Sequence, residues 1–159
     1  MTQPKHIADS RVTLSALMGP QDTNTLGNVH GGIIMKMVDE AGALAAIRHA
    51  RAPVVTVAID TMTFNEPIRM GNLVVCTAEL TYVGRTSIEV RVEVNAENPI
   101  AGTSSVTNTA YLVYVALDPE GHPTPVPPLE YLTDEERARG ELAKERQHYR
   151  KQQAVREQA

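Results

Sequence analysis

The sequence predicts an α+β domain in which a curled antiparallel β-sheet of about five strands wraps around one long central helix. Three observations predict it: one apolar helical stretch at residues 33–49, an alternating stretch before it, and four β-rich stretches after it.

The first strand is read at residues 11–17, where Val12, Leu14 and Ala16 alternate with other side chains before the Gly19-Pro20 break. A polar, glycine-bearing loop over 21–32 leads directly into the helix. Plotted at 100° per residue, Ile33, Ile34, Met35, Met37, Val38, Ala41, Gly42, Leu44, Ala45 and Ala46 cover most of the helix circumference. Such a helix is expected to be enclosed by other elements, with Lys36, Asp39 and Glu40 confined to the remaining sector.

After Pro53, strands are read at 54–64, 73–83, 87–94 and 106–117, rich in valine, isoleucine and threonine. Val83-Gly84-Arg85-Thr86 makes a short hairpin, and 95–105, with Pro99 and Gly102, makes a longer turn. Pro123, Pro125, Pro127 and Pro128 end the sheet in an extended segment. Thr133-Asp134-Glu135-Glu136 then has the form of a capping box, opening a helix with acidic residues early and Lys144, Arg146, Arg150 and Lys151 late, as the helix dipole favours. Residues 1–130 are read as one domain and 131–159 as a charged helical extension lying on the surface.

A chain of 159 residues, 42% hydrophobic, suits one core of this kind. Its net charge of −4 offers no overall positive field for nucleic acid, and with no tryptophan and 4% aromatic residues there are too few rings to stack bases. No segment approaches the roughly 20 apolar residues of a membrane span, and no charged stretch followed by an apolar run opens the sequence. A cytoplasmic protein without a membrane partner is expected. The single cysteine, Cys76, lies in an apolar run and is read as a buried structural thiol.

Two features suggest chemistry. Asn28-Val29-His30-Gly31-Gly32 puts two glycines where the loop becomes the helix, and first-turn N–H groups have no partner inside a helix; this is either an anion or oxyanion site or a tightly packed helix start. Asp39 lies two turns further on, among Met35, Gly42, Ala43 and Ala46. A carboxylate in such surroundings serves as general base or nucleophile, or else pairs with Lys36 or a basic residue of another chain. His6, His30, His49, His122 and His148 are scattered, with no HExxH or paired-cysteine spacing, so no metal is expected; nor is there a G-x-S-x-G serine nucleophile.

The ordered set Gly27-Asn28-Val29-His30-Gly31-Gly32-Ile33-Ile34-Met35-Lys36-Met37-Val38-Asp39-Glu40-Ala41-Gly42, Arg48-His49-Ala50-Arg51, Val55-Thr56-Val57-Ala58-Ile59-Asp60-Thr61-Met62-Thr63-Phe64, Val83-Gly84-Arg85-Thr86-Ser87 and Pro123-Thr124-Pro125-Val126-Pro127 resembles the hotdog-fold acyl-CoA thioesterases. The resemblance covers roughly residues 10–150 and is nearest to the cytosolic long-chain acyl-CoA hydrolases of animals and their single-hotdog bacterial relatives.

The resemblance implies hydrolysis of acyl-CoA to fatty acid and CoA. It assigns the catalytic carboxylate to Asp39, an assisting asparagine to Asn28, and the carbonyl-polarising N–H to Gly32, with Gly31 beside it. It also implies a homo-oligomer, with a dimer as the catalytic unit that shares Asn28 and Asp39 between subunits, and a trimer of dimers as the particle. No cofactor is required, since CoA enters as part of the substrate. Its phosphates and adenine call for Arg85-Thr86-Ser87, with Arg48, His49, Arg51 and Val57 as further contacts; His30 is read as pocket lining. The rival readings are a module that binds acyl-CoA without cleaving it, and an enoyl-CoA hydratase, for which His30 is the only histidine near the site loop.

Overall fold

A computed structural model describes residues 2–159. In chain order it contains β1 (Lys5–His6), β2 (Val12–Leu17), α1 (Gly31–Ala50), β3 (Val54–Ile59), β4 (Leu73–Val83), β5 (Ser87–Asn98), β6 (Thr103–Ala116), β7 (Leu129–Glu130) and α2 (Asp134–Glu157). Strands β2 to β6 form one five-stranded antiparallel sheet in the order β2-β4-β5-β6-β3, which packs around α1. β2 and β3 are its edges.

Strand side chains alternate between faces. On the inner face Val74, Cys76, Ala78 and Leu80 of β4, Val90, Val92 and Val94 of β5, and Ala110, Leu112, Tyr114 and Ala116 of β6 are buried. Against them α1 turns Ile34, Val38, Ala41 and Ala45, the helical spacing of a single stripe. Each large aliphatic side chain buried here contributes about 1.5–3 kcal/mol. Cys76 belongs to this core, and burial pushes its thiol up to about 11.

Four sequence expectations need correcting. The central helix is not enclosed all round: Met35, Leu44 and Ile47 remain about 40% exposed, because one sheet covers one side of a helix. The strand after it stops at Ile59 instead of continuing to Phe64, and residues 60–66 are irregular. Instead of a long turn, β5 and β6 continue to a tight one, since Asn98 Oδ1 accepts from the N–H groups of Ile100 and Ala101 and Gly102 adopts a positive φ of 71°. Two further strands, β1 and β7, pair in parallel beyond the sheet.

The C-terminal helix begins at Thr133, whose Oγ1 accepts from the N–H of Glu136. It is fastened to the outer face of the sheet by charge more than by apolar area. Glu89, only 2% exposed, receives a two-point contact from Arg146 at 2.6 and 3.2 Å and a hydroxyl from Thr81 at 2.6 Å. Arg150 reaches Asp60 at 2.7 Å, and the Arg146 guanidinium lies 3.7 Å above the Tyr111 ring. Gly140 is required because the Tyr131 hydroxyl occupies the space its Cβ would take.

Candidate active site

The helix α1 begins at Gly31, with His30 as an N-cap whose side chain makes no cap bond. The N–H of Ile33 is returned to the His30 carbonyl at 3.0 Å, leaving those of Gly31 and Gly32 as the first-turn donors without intrahelical partners. Gly32 is exposed with open space around its Cβ position; Gly31 is half-buried against Phe64. The dipole of a 20-residue helix adds partial positive charge at this point.

The preceding loop is shaped by two asparagines. Asn24 Oδ1 accepts from the N–H groups of Leu26 and Asn28 at 2.9 and 3.2 Å, so its Nδ2 is the part left to face outward. Asn28 bridges to Arg69 through the backbone, and its Oδ1 accepts from the Arg69 guanidinium at 3.2 Å. Sequence reasoning passed over Asn24, although an asparagine in a glycine-bearing loop is the residue type whose side chain closes a turn on the N–H two residues on, as it does at Leu26.

Asp39 is half-buried under the middle of α1. Thr56 of β3 and Tyr114 of β6 are register partners, so both side chains rise from the same face of the sheet, directly at Asp39. Thr56 Oγ1 donates to Asp39 Oδ1 at 2.8 Å, and the Tyr114 hydroxyl contacts Asp39 Oδ1 and carbonyl oxygen at 3.1 and 3.0 Å. Burial, then the Asp39 carboxylate, hold the Tyr114 hydroxyl far above its ordinary value, so it stays protonated and donates. Both donors converge on Oδ1, leaving Oδ2 for another partner. Lys36 pairs with Glu40 at 3.7 Å, which removes it as the partner of Asp39.

The remaining predicted positions fall elsewhere. Arg48 and Arg51 stand at the C-terminal end of α1, about 25–30 Å from Gly31 by helix rise; Arg48 donates to the Arg11 carbonyl and Arg51 is the left-handed C-cap with φ 55°. Arg85, Thr86 and Ser87 form the β4–β5 hairpin at that same end, because Ser87 pairs with Val115 and Val115 with Val55 at the start of β3. Arg85 is exposed there. His49 is not available to a ligand: it is fully buried, with Nε2 2.7 Å from the Pro127 carbonyl. Val57 lies at a bulge of β3, exposed along a cleft of about 910 Å³ that α2 borders with Leu142 and Tyr149. The chain therefore gathers Gly31, Gly32 and the asparagines at one end, Asp39 midway, and Arg48, Arg51 and the hairpin at the other. Among the described residues no group of three or more His, Cys, Asp or Glu side chains forms a metal site, and no helix is long and apolar enough to cross a membrane.

Comparison with known proteins is consistent across sequence and structure. Residues 26–103 match the profile of the thioesterase superfamily. The chain is 35% identical over 147 residues to the rat cytosolic acyl coenzyme A thioester hydrolase, covering 91% of this chain and spanning 38% of the length of that relative. It superimposes on an acyl-CoA hydrolase from Staphylococcus aureus, solved with butyryl coenzyme A, coenzyme A and coenzyme A disulfide, with a TM-score of 0.89 at 32% identity over 97% of this chain and 94% of the other. A hexameric acyl-CoA thioesterase superimposes with a TM-score of 0.91 at 38% identity over 96% and 97% of the two chains. Alanine variants of the S. aureus protein have been solved at an asparagine, at an aspartate fifteen positions further on, and at a threonine seventeen beyond that.

Proposed function

The chain belongs to the thioesterase superfamily, and from that premise we propose that it hydrolyses acyl-CoA thioesters to a fatty acid and free CoA, with Asp39 as the carboxylate that acts on water. The observation that carries this reading is the Asp39 carboxylate itself, fixed at Oδ1 by Thr56 and Tyr114 while neither bond engages Oδ2. Oriented in this way, Oδ2 accepts a proton from water as the water oxygen attacks the thioester carbonyl. The developing oxyanion is received by the N–H groups of Gly31 and Gly32, and one such donor is worth about 3–4 kcal/mol. Collapse of the tetrahedral species expels CoA as its thiolate.

These two halves do not meet within one chain. Gly32 and Asp39 lie on the same face of α1, seven residues and therefore about 10.5 Å apart along the axis, too far for one reacting carbonyl. Two antiparallel copies of α1 would close the gap, bringing Gly32 of each to Asp39 of the other about an axis near Met35 and Lys36. The exposed Met35, Leu44 and Ile47, together with Val55, Val57 and Ile59 on edge strand β3, supply the apolar surface such a dimer would bury. The proposed catalytic unit is thus a dimer with two shared sites, and the hexameric neighbour supports a trimer of dimers.

Asn24 is proposed as the assisting asparagine. It precedes Asp39 by fifteen positions and Thr56 follows Asp39 by seventeen, the separations of the three residues varied in the S. aureus enzyme. Asn28 is the competing candidate, with Arg69 already on its Oδ1. Arg85, Thr86 and Ser87, with Arg51 and Arg48, remain the proposed contacts for the CoA phosphates, at the end of the molecule where an extended substrate would emerge. The cytoplasm is the proposed location, as for the rat relative.

Release of free thiol from acetyl-, butyryl-, octanoyl- and palmitoyl-CoA tests the reading. Wild type should turn over at least one ester, Asp39→Ala should lose about a hundredfold or more in kcat, and Asn24→Ala should lose more than Asn28→Ala. A wild type that binds these esters without releasing thiol would make the protein an acyl-CoA binding module instead.

A further inference from the structure

Residues 60–68 leave β3 and cross the N-terminal end of α1 as an irregular strap held at both ends and between. At its start the Asp60 N–H donates to the Tyr111 carbonyl at 2.9 Å; at its end the Ile68 carbonyl accepts from the Val29 N–H at 2.7 Å. Between them the Thr63 carbonyl accepts from Asn108 Nδ2, and Glu66 accepts from the Ser105 hydroxyl at 3.1 Å.

Phe64 stands between the last two pins. Its ring points at the first turn of α1, so near that a Cβ added to Gly31 would meet it at 3.3 Å. The ring is 46% exposed, which sets it apart from the core aromatic Tyr114. Beneath it opens a pocket of about 310 Å³ whose apolar walls are Val29, Ile34 and Ile68. A thioester whose carbonyl oxygen is held at Gly31 and Gly32 has its first acyl carbons within a few bonds of this pocket, so the chain must pass the ring to go further.

Asn108 supplies an independent observation. It is 1% exposed and its Oδ1 has no partner among the described residues. A buried, unpartnered carbonyl is unfavourable, and the only compensation visible is the bond from Nδ2 to Thr63, the residue that precedes Phe64.

We propose that Phe64 is a steric gate setting the acyl-chain length accepted at the α1 N-terminus, and that Asn108 is a positioning residue that holds the gate through the Thr63 carbonyl. This inference rests on the thioesterase reading.

The test is the ratio of kcat/KM for octanoyl-CoA to that for acetyl-CoA, a quantity independent of how much of a preparation is folded. Phe64→Ala should raise it at least about tenfold, the discrimination that a single methylene gives in an apolar pocket, and Phe64→Leu by less. Asn108→Ala should shift the ratio in the same direction by a smaller factor; Asn108→Asp, of the same shape but without the donor, replaces it should the alanine variant not fold. A ratio unchanged or lowered in Phe64→Ala, in a background where wild type hydrolyses both esters, overturns the gate. A ratio unmoved by either Asn108 variant overturns the positioning role. A wild type inactive on both esters fails earlier, at the thioesterase reading, and takes the gate with it.

Discussion

Thr56 and Tyr114 are directly opposed across the β3–β6 ladder, and both reach the same oxygen of Asp39, at 2.8 and 3.1 Å. The carboxylate is therefore oriented by the sheet, although it is carried by the helix. Thr56→Ala should lower kcat about ten- to a hundredfold, as one hydrogen bond to a charged group worth about 1.5–3 kcal/mol implies, while Thr56→Ser keeps most of the rate. Steady-state thiol release with KM measured alongside checks this; a Thr56→Ala enzyme with wild-type kcat would remove Thr56 from the site.

Gly42 leaves the space that the Tyr114 hydroxyl occupies, and a Cβ there would collide with it. Gly42→Ala should cost about 1–3 kcal/mol and weaken activity by displacing that hydroxyl from Asp39. In a Tyr114→Phe background the same change should cost clearly less. A double-mutant cycle by urea denaturation measures the coupling; strictly additive effects would contradict the packing described.

His49 is buried with Nε2 on the Pro127 carbonyl and Nδ1 without a partner, and burial lowers its pKa below the usual 6.5. Above about pH 6.5 the imidazole is neutral in both folded and unfolded chains, and its contribution to stability is fully present. As pH falls below 6.5 the unfolded chain takes up a proton that the folded chain resists, so stability declines towards the depressed folded pKa. Replacing the ring with a non-titrating amide in His49→Gln should flatten the fall in Tm between pH 7.5 and pH 5.5. Parallel Tm curves for the two proteins would show that another group dominates this range.

Arg146→Ala should destabilise by about 2–3 kcal/mol, because the buried Glu89 carboxylate loses its two-point partner and keeps only Arg150 at 3.5 Å and the Thr81 hydroxyl. Arg139→Ala, which removes an exposed pair with Glu135, should have an effect within about 0.5 kcal/mol. Chemical denaturation midpoints at constant m compare the two. Equal effects would mean that α2 is not fastened through Glu89.

The architecture was legible because its signals are local. The period of α1, the β-rich stretches and the capping box at Thr133 each lie within one continuous stretch of no more than about twenty residues. What escaped is what contacts decide. Residues 60–64 continue the β pattern of Ile59, but Asn108, more than forty positions away, takes the Thr63 carbonyl. Nothing near His49 predicts its burial, which depends on Pro127 and on Lys5, whose Nζ reaches the His49 carbonyl at 2.7 Å. At the candidate site, Asp39 and the glycine-rich helix start were visible as anomalies of charge and composition. Thr56 and Tyr114 were not, since their meeting at Asp39 is a matter of strand register. The proposed role of Asn24 was hidden for a different reason: the turn it stabilises is a backbone feature, while Asn28, beside the glycines, remains the competing candidate.

Cys76 gives the enzymology an internal blank. The only thiol of the chain lies fully buried in the core, and its proton is held to about pH 11. A disulfide reagent added to the folded protein at neutral pH should develop colour only from CoA as it is released, so baseline drift in any variant doubles as a readout of opened molecules. One cuvette thus reports turnover and integrity together.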